Sequence, residues 1–369
     1  MTKTNYALNN EQAGATLSLP SYSYGPVLPV SYRPKIGLIG CGGISEHHLT
    51  AYRNHGLEVV ALCDLRKEAA EARRAAFYPD AAVYTNSADL LDRADIEVVD
   101  IALHADPRPP VIEAALEAGK HVLSQKPFVK DLETGQRLVD LAHARGLKLA
   151  VNQNGRWAPY VRWITLALRD RLVGDVQSVN VRINWDHTWV KGTAFETMRH
   201  LILYDFAVHW LDMVRLFFGD RPCETVFANN TFAPPQEIGV PMMASVVAGF
   251  ANGQASLDFD GHSRFLQGER LSIRGSAGSI EASGQATAAQ HLEVETADGR
   301  SAIDLDGSWF PDGFAGTMGE LLCAIEEDRE PENGAAGNLE SLKLVFGAIA
   351  SAVDGQALSP ASVTGLRED

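Results

Sequence analysis

Cysteine is scarce in this sequence: Cys41, Cys63, Cys223 and Cys323 are the only four in 369 residues, and no two form a CxxC pair. That spacing argues against a zinc cage or a disulfide framework and fits a reducing compartment. Positive charge is also short. With 32 Lys and Arg against 47 Asp and Glu, the formal net charge of -15 repels phosphate backbones and anionic lipid, so neither a nucleic-acid nor a membrane partner is expected. No apolar run is long enough to span a bilayer, and the N-terminal segment lacks a basic region with an apolar core or a twin arginine. A soluble cytoplasmic protein is the expectation. Internal repeats and low-complexity tracts are missing as well.

What is present is enough apolar material, 46% of the residues, for two cores. Residues 1–34 read as a polar, proline-punctuated arm that is either disordered or packed on a neighbouring subunit. From Lys35 short apolar runs alternate with helical patterns: strands at 36–39, 58–63, 98–103, 121–123 and 148–151, helices at 45–55, 66–77, 110–118 and 132–145. That rhythm implies a parallel sheet covered on both faces. After residue 152 it changes to strands at 176–185, 224–229, 244–250, 254–260 and 270–274, with helices at 160–171, 199–218, 314–326 and 339–353. The expected fold is α/β, a Rossmann doubly wound parallel sheet over 35–152. An α+β domain over 153–369 follows, with a large, mostly antiparallel, open-faced sheet and a closing helix that packs back on the first domain. The open face suits a homodimer or homotetramer.

The first strand runs into Gly40-Cys41-Gly42-Gly43-Ile44-Ser45 and then a helix, the arrangement that binds a dinucleotide pyrophosphate. The first glycine makes the tight turn, the second admits the phosphates, and the helix N-terminus offers free N–H groups. Asp64, at the end of the second strand, stands where a carboxylate accepts ribose hydroxyls. Its charge disfavours a 2'-phosphate, so NAD is preferred; Arg66 two residues on leaves NADP as the alternative.

Two further groups carry chemistry. Lys126 lies in Ser124-Gln125-Lys126-Pro127, just past a short apolar strand. Asp205, His209 and Asp212 stand at i, i+4 and i+7 of an apolar helical stretch and form one stripe. Either Asp205 and His209 satisfy each other inside the fold, or His209 is an acid/base and Asp205 orients it or binds a substrate hydroxyl. No set of three or four converging ligands is visible, and no metal is expected.

These motifs, in this order from Lys35 to about Gly355, resemble the Gfo/Idh/MocA oxidoreductases. Ser124-Gln125-Lys126-Pro127 resembles that family's Glu-Lys-Pro motif, Asp205 with His209 its Asp-x-x-x-His, and 273–280 its late strand-turn-strand. The resemblance implies a nicotinamide cofactor between two domains and a sugar or cyclitol substrate. It puts the catalytic residues at Lys126, Asp205 and His209 and the substrate contacts at Lys126, Trp185, His187, Asp205 and His209, with Trp189 and Lys191 on the same loop. The cofactor set becomes Gly40, Gly42, Gly43, Ile44, Asp64, Leu65, Arg66, His104, Gln125, Lys126, Asn154, Arg156 and Trp157. Two departures stand out: Gln125 replaces the family's glutamate, and Arg199-His200-Leu201-Ile202-Leu203 replaces glycines before Asp205. The expected reaction is oxidation of an alcohol or hemiacetal carbon of a non-phosphorylated sugar or polyol, first an aldose at C1 to its lactone. An inositol dehydrogenase, a redox-neutral NAD-dependent glycosidase or dehydratase, and a non-catalytic NAD-binding regulator are the alternatives.

Overall fold

The computed structural model describes residues 15–285 and 287–367. Six parallel strands form the first sheet: β1 (Lys35–Ile39), β2 (Glu58–Cys63), β3 (Ala82–Tyr84), β4 (Ile96–Ile101), β5 (His121–Gln125) and β6 (Leu149–Asn152). Their order is β3-β2-β1-β4-β5-β6, so the chain reverses direction of travel beside β1. Between them run α1 (Ser45–Asn54), α2 (Lys67–Phe77), α3 (Ser87–Leu91), α4 (Arg108–Glu117) and α5 (Leu132–Ala144). Adjacent residues of one strand enter different cores. Val98 packs with Ile36, Leu38 and Leu123 on one face, while Val99 packs with Ile39, Val122 and Val151 on the other. A strand buried on both faces is why these runs lack polar alternation. The expected doubly wound parallel sheet is what folds.

The second half contributes α6 (Pro159–Arg169), β7 (Val176–Asn184), α7 (Val208–Phe218) and seven more strands. These are β8 (Cys223–Thr231), β9 (Met243–Phe250), β10 (Gly253–Asp260), β11 (Gly268–Gly275), β12 (Gly278–Gln285), β13 (Ala288–Thr296) and β14 (Gly299–Asp304). The eight strands lie in the order β14-β13-β12-β11-β7-β10-β9-β8, and only the β7–β10 pair is parallel. In β7, Val179, Val181 and Ile183 point into the core while Arg182 points out, the alternation of a sheet with one wet face. Phe227 and Val247 remain exposed on β8 and β9.

Two helices close the chain, α8 (Phe314–Glu326) and α9 (Ala335–Asp354). Though it follows the last strand, α8 belongs to the first sheet: Phe314, Met318, Leu321 and Leu322 share a core with Ile36, Leu38, Val98 and Leu123. Helix α9 packs on both halves, touching α5 and β6 on one side and α7 and β8 on the other.

Two expectations need correction. The stretch 199–218 is not one α-helix: Ile202–Phe206 is a π-turn, with Ala207 N donating to Ile202 O at 2.7 Å, and α7 begins after it. The arm, in its described part, is ordered on its own chain; residues 1–14 lie outside the described residues. Thr16 pairs with Arg300 of β14, and Tyr22 meets Trp163 edge-on at 5.3 Å. The Glu326 carboxylate accepts from Val30 N, Ser31 N, Ser31 Oγ and Tyr32 N at 2.6–2.8 Å. Those donors hold the carboxyl down at about 2. An arm without strand or helix periodicity is thus held at its start by β14 and Trp163 and at its end by one acid on a distant helix.

Candidate active site

The glycine loop leaves β1 with Gly40 at φ +101, where an added Cβ would stand 2.8 Å from Ala102 O, so only glycine fits. Around Gly42 and Gly43, by contrast, a Cβ would meet nothing within 4 Å. That open backbone, beside an α1 N-terminus that no side chain caps, is the surface a pyrophosphate needs. Asp64 lies across the loop: Oδ2 accepts from Cys41 N at 2.8 Å and Oδ1 from Arg66 N at 2.9 Å. Each oxygen keeps acceptor capacity for a ribose hydroxyl. Leu65 and Arg66 are exposed beyond it, with Arg66 Nε 3.8 Å from Asp64. The residues present fit an adenine dinucleotide. Arg73, which the sequence reading passes over, ties the loop down by donating to Gly42 O and Ser45 Oγ, both at 3.1 Å.

Across the cleft, Lys126 at the carboxyl end of β5 reaches the π-turn of the second half. Its Nζ donates to Asp205 O at 2.8 Å and to Asp205 Oδ1 at 3.2 Å. π-Turns recur at functional sites because they displace a segment that a regular helix would hold in register. Here the turn carries Asp205, with both partners still slightly open to solvent, 15% for the lysine and 17% for the aspartate. His209 follows on α7, nearly buried, edge-on to Trp309 at 5.2 Å, with no hydrogen-bond partner for its Nδ1 among the described residues. Burial first, and the Lys126 charge second, hold its imidazole well below the ordinary histidine range.

The segment after β7 supplies an aromatic wall. His187 stands between Trp185 and Trp189, with ring centroids 5.1 and 5.0 Å away, and tilts against Phe206 at 4.8 Å. Trp189 Nε1 donates to His187 Nδ1 at 3.3 Å, which leaves the proton on Nε2, a buried atom with no partner among the described residues. Burial pushes this imidazole down to about 4, Asp205 opposing and Lys126 reinforcing the effect. Phe195, later in the same segment, touches Trp189 at 5.6 Å and His104 of the first half at 5.3 Å. One ammonium, one carboxylate and two neutral imidazoles with unmatched nitrogens therefore gather at the cleft. Such a set can hold an oxygen, take its proton and stabilise the charge left behind.

Other candidates lie elsewhere. Arg156 donates to both Asp212 oxygens at 2.6 Å, both bonds buried, and to the part-buried Glu332 O at 2.6 Å. Ser341 Oγ also donates to Asp212. Arg156 is therefore engaged inside the fold, and the Asp205, His209, Asp212 stripe is divided by its partners: Asp205 meets Lys126 while Asp212 is taken by Arg156. Asn154 Oδ1 accepts from Trp309 Nε1 at 2.8 Å, and Trp157 is buried against Gly316 and Arg162. Gln125 is internal too. Its Oε1 accepts from Lys126 N at 2.7 Å and its Nε2 faces His48 Nε2 at 3.1 Å. His48 Nδ1 in turn meets Asp100 at 2.6 Å, as does the Tyr52 hydroxyl. With the Gln125 oxygen occupied, its amide donates and His48 accepts, which sets the ring as the Nδ1–H tautomer. A glutamate at 125 could make that contact only if His48 also carried a proton on Nε2, so the amide goes with a neutral imidazole here. The signal available beforehand was a His47-His48 pair on a helix whose inner face is otherwise core.

A glycine-loop doubly wound sheet whose β5 end brings a lysine onto an aspartate and near a histidine of the second half is the layout of a two-domain dinucleotide-dependent oxidoreductase. Residues 34–153 match the oxidoreductase family with the NAD-binding Rossmann fold, and residues 161–281 match the GFO/IDH/MocA C-terminal domain. The chain belongs to the Gfo/Idh/MocA family. It is 28% identical over 341 residues to a D-apiose dehydrogenase of Paraburkholderia graminis, covering 88% of this chain and 89% of the relative. An inositol 2-dehydrogenase of Rhizobium meliloti is 25% identical over 340 residues, covering 88% and 98%. The fold is also that of an Agrobacterium radiobacter oxidoreductase solved with NAD+, L-tartaric acid and magnesium. That likeness has a TM-score of 0.81 at 20% identity, over 90% of this chain and 99% of that one. Among the described residues no helix is long and apolar enough to cross a membrane.

Proposed function

We propose that the protein is an NAD-dependent dehydrogenase that oxidises an alcohol or hemiacetal carbon of a non-phosphorylated sugar or polyol, with an aldose at C1, branched aldoses included, as the first candidate. The observation that carries this reading is the Lys126–Asp205 contact across the cleft, 2.8 Å to the main chain and 3.2 Å to the carboxylate, beside two imidazoles with unmatched nitrogens. A nicotinamide cofactor bound against the glycine loop would supply the hydride acceptor. His209, neutral by burial, takes the hydroxyl proton, and Lys126 holds the oxygen and stabilises its developing charge. Asp205 keeps the ammonium aimed. His187 donates from Nε2 to a second substrate oxygen, and Trp185 and Trp189 offer faces to a ring. Lys191, the lysine of this loop, is engaged by Glu237, so little positive charge is left for a phosphate. Asp64 favours NAD over NADP by charge. The exposed faces of β8 and β9, with Phe227 and Val247, serve a homodimer or homotetramer.

A cyclitol is the second substrate class, supported by the full-length likeness to an inositol dehydrogenase. The test is reduced-cofactor absorbance across linear and branched aldoses and inositols. Lack of turnover of every member by the wild type, or full turnover by Lys126→Met, would sink the reading.

A further inference from the structure

Arg108 opens α4, yet at 1% exposure it is among the most buried side chains of the molecule. Among the described residues no carboxylate pairs with it. Its guanidinium is turned instead on main-chain oxygens. Nε and Nη2 donate to Leu103 O at 3.0 and 2.6 Å, and Nη1 donates to the carbonyls of Gln125, Pro127 and, at 3.3 Å, Phe128. Lys126 O lies 3.5 Å from Nη2.

Those oxygens need a partner. The ladders of β5 to β4 and β6 end at Ser124 and Gln125, so the turn that follows has no strand to receive its carbonyls, and a buried carbonyl left unpaired costs about 1–3 kcal/mol. Only arginine has a planar fork of five N–H groups wide enough to serve several oxygens at once. The Gln125 side chain holds the N–H of Lys126 from the other direction. The peptide groups from Gln125 to Phe128 are therefore clamped from both sides, and Lys126 is the one side chain of that turn directed at the cleft contact. Burial brings the guanidinium down to about 10, and Tyr204, Asp205 and Asp106 oppose that effect, so its charge also reaches the aspartate that receives the ammonium.

We propose that Arg108 is a positioning residue for the reaction, fixing the turn that carries Lys126 so that its ammonium meets Asp205 and the substrate oxygen. The inference rests on the role given to Lys126 above. It adds a requirement that neither the lysine nor the aspartate meets alone, because a misplacement of about 1 Å at a reacting group costs about 100-fold in rate.

The experiment compares Arg108→Met, Arg108→Lys and the wild type in the full-length protein. Arg108→Met is expected to lower kcat about 10- to 100-fold on whichever substrate the wild type turns over, with NAD affinity unchanged. Arg108→Lys recovers part of the loss, since three donors on one nitrogen cannot span the same oxygens. NMR of protein carrying isotope-labelled lysine should show the Lys126 side-chain resonance displaced in both variants and the other lysines unmoved, a readout that needs no substrate. A Lys126 resonance unchanged in the folded variants overturns the proposal, as does a fall in kcat matched by an equal fall in NAD affinity. Should Arg108→Met fail to fold, wild-type kcat and an unmoved resonance in Arg108→Lys are the overturning results. Failure of the substrate panel would count against the function alone, because the resonance still reports on Arg108.

Discussion

Lys126 is held twice by Asp205, through the main-chain oxygen at 2.8 Å and the carboxylate at 3.2 Å. The first contact depends on the backbone of the π-turn and survives any substitution at 205; the second depends on charge. Asp205→Asn should therefore keep the lysine in place but remove a charge-assisted bond worth about 1.5–3 kcal/mol, lowering kcat/KM about 10- to 150-fold. Steady-state kinetics with NAD binding measured alongside checks this. A variant within twofold of the wild type would mean that the carboxylate is dispensable.

The Lys126 charge also acts on His209. Because it adds to burial in disfavouring the imidazolium, Lys126→Met should raise the His209 titration toward the ordinary histidine range. In the wild type the neutral base persists below that range, so the acid limb of the rate profile lies lower than a solvated histidine would put it. Imidazole NMR across a pH series reads both. A His209 titration that does not move in the variant would place the lysine charge outside its reach.

Asp212→Ala leaves Arg156 as an uncompensated buried charge. The expected cost is about 3–5 kcal/mol in urea unfolding. NAD affinity of the folded fraction should stay as it is, because the pair serves the fold. A stable variant with weakened NAD binding would restore Arg156 as a cofactor contact.

Glu269 of β11 is buried and receives Tyr160 Oη and Trp210 Nε1 at 2.7 Å and Thr287 N at 3.1 Å, yet burial outweighs them and lifts its carboxyl to about 7. The folded state keeps this proton to about 7 while the unfolded chain releases it near 4.5, so this group's contribution to stability falls as pH rises between those values. The full swing is on the order of 3 kcal/mol. Glu269→Gln should flatten the urea midpoint between about pH 4.5 and pH 7. A slope as steep as in the wild type would assign the effect to other groups.

Gln125→Glu replaces the donor that faces His48 with an acceptor, inside a network at most 5% exposed. The expected result is a loss of about 1–3 kcal/mol in stability. The alkaline limb of the rate profile should hardly change, because the Gln125 side chain faces His48 and the Lys126 amide rather than the ammonium. A clear upward shift of that limb with unchanged stability would contradict this geometry.

The first sheet was legible from sequence because its strands are apolar on both faces and punctuated by helices; β3 and α3 are too short for any period to emerge. In the second sheet, β13 and β14 went unread since one face is wet and only residues such as Leu292 and Val294 mark the other. Lys126, Asp205 and His209 stand out because polar groups on or beside apolar segments are conspicuous, whereas His187 came only from the resemblance to the family. Arg108 and His48 were not, because what they do depends on carbonyls and amides brought together from far along the chain. The π-turn was likewise hidden, since Ile202 to Phe206 reads as ordinary helix.

Helix α8 sets a timetable for the chain's own synthesis. When β6 has just been made, Ile36, Leu38, Val98 and Leu123 lack the cover that Phe314 to Leu322 later supply. At roughly 5–20 residues per second, the remaining stretch to the end of α8 takes on the order of ten to thirty seconds. Throughout that interval the apolar residues that α8 covers in the finished protein are without that cover. It also means that the glycine loop, whose helix α1 sits in the same core, is finished only once the rest of the enzyme exists.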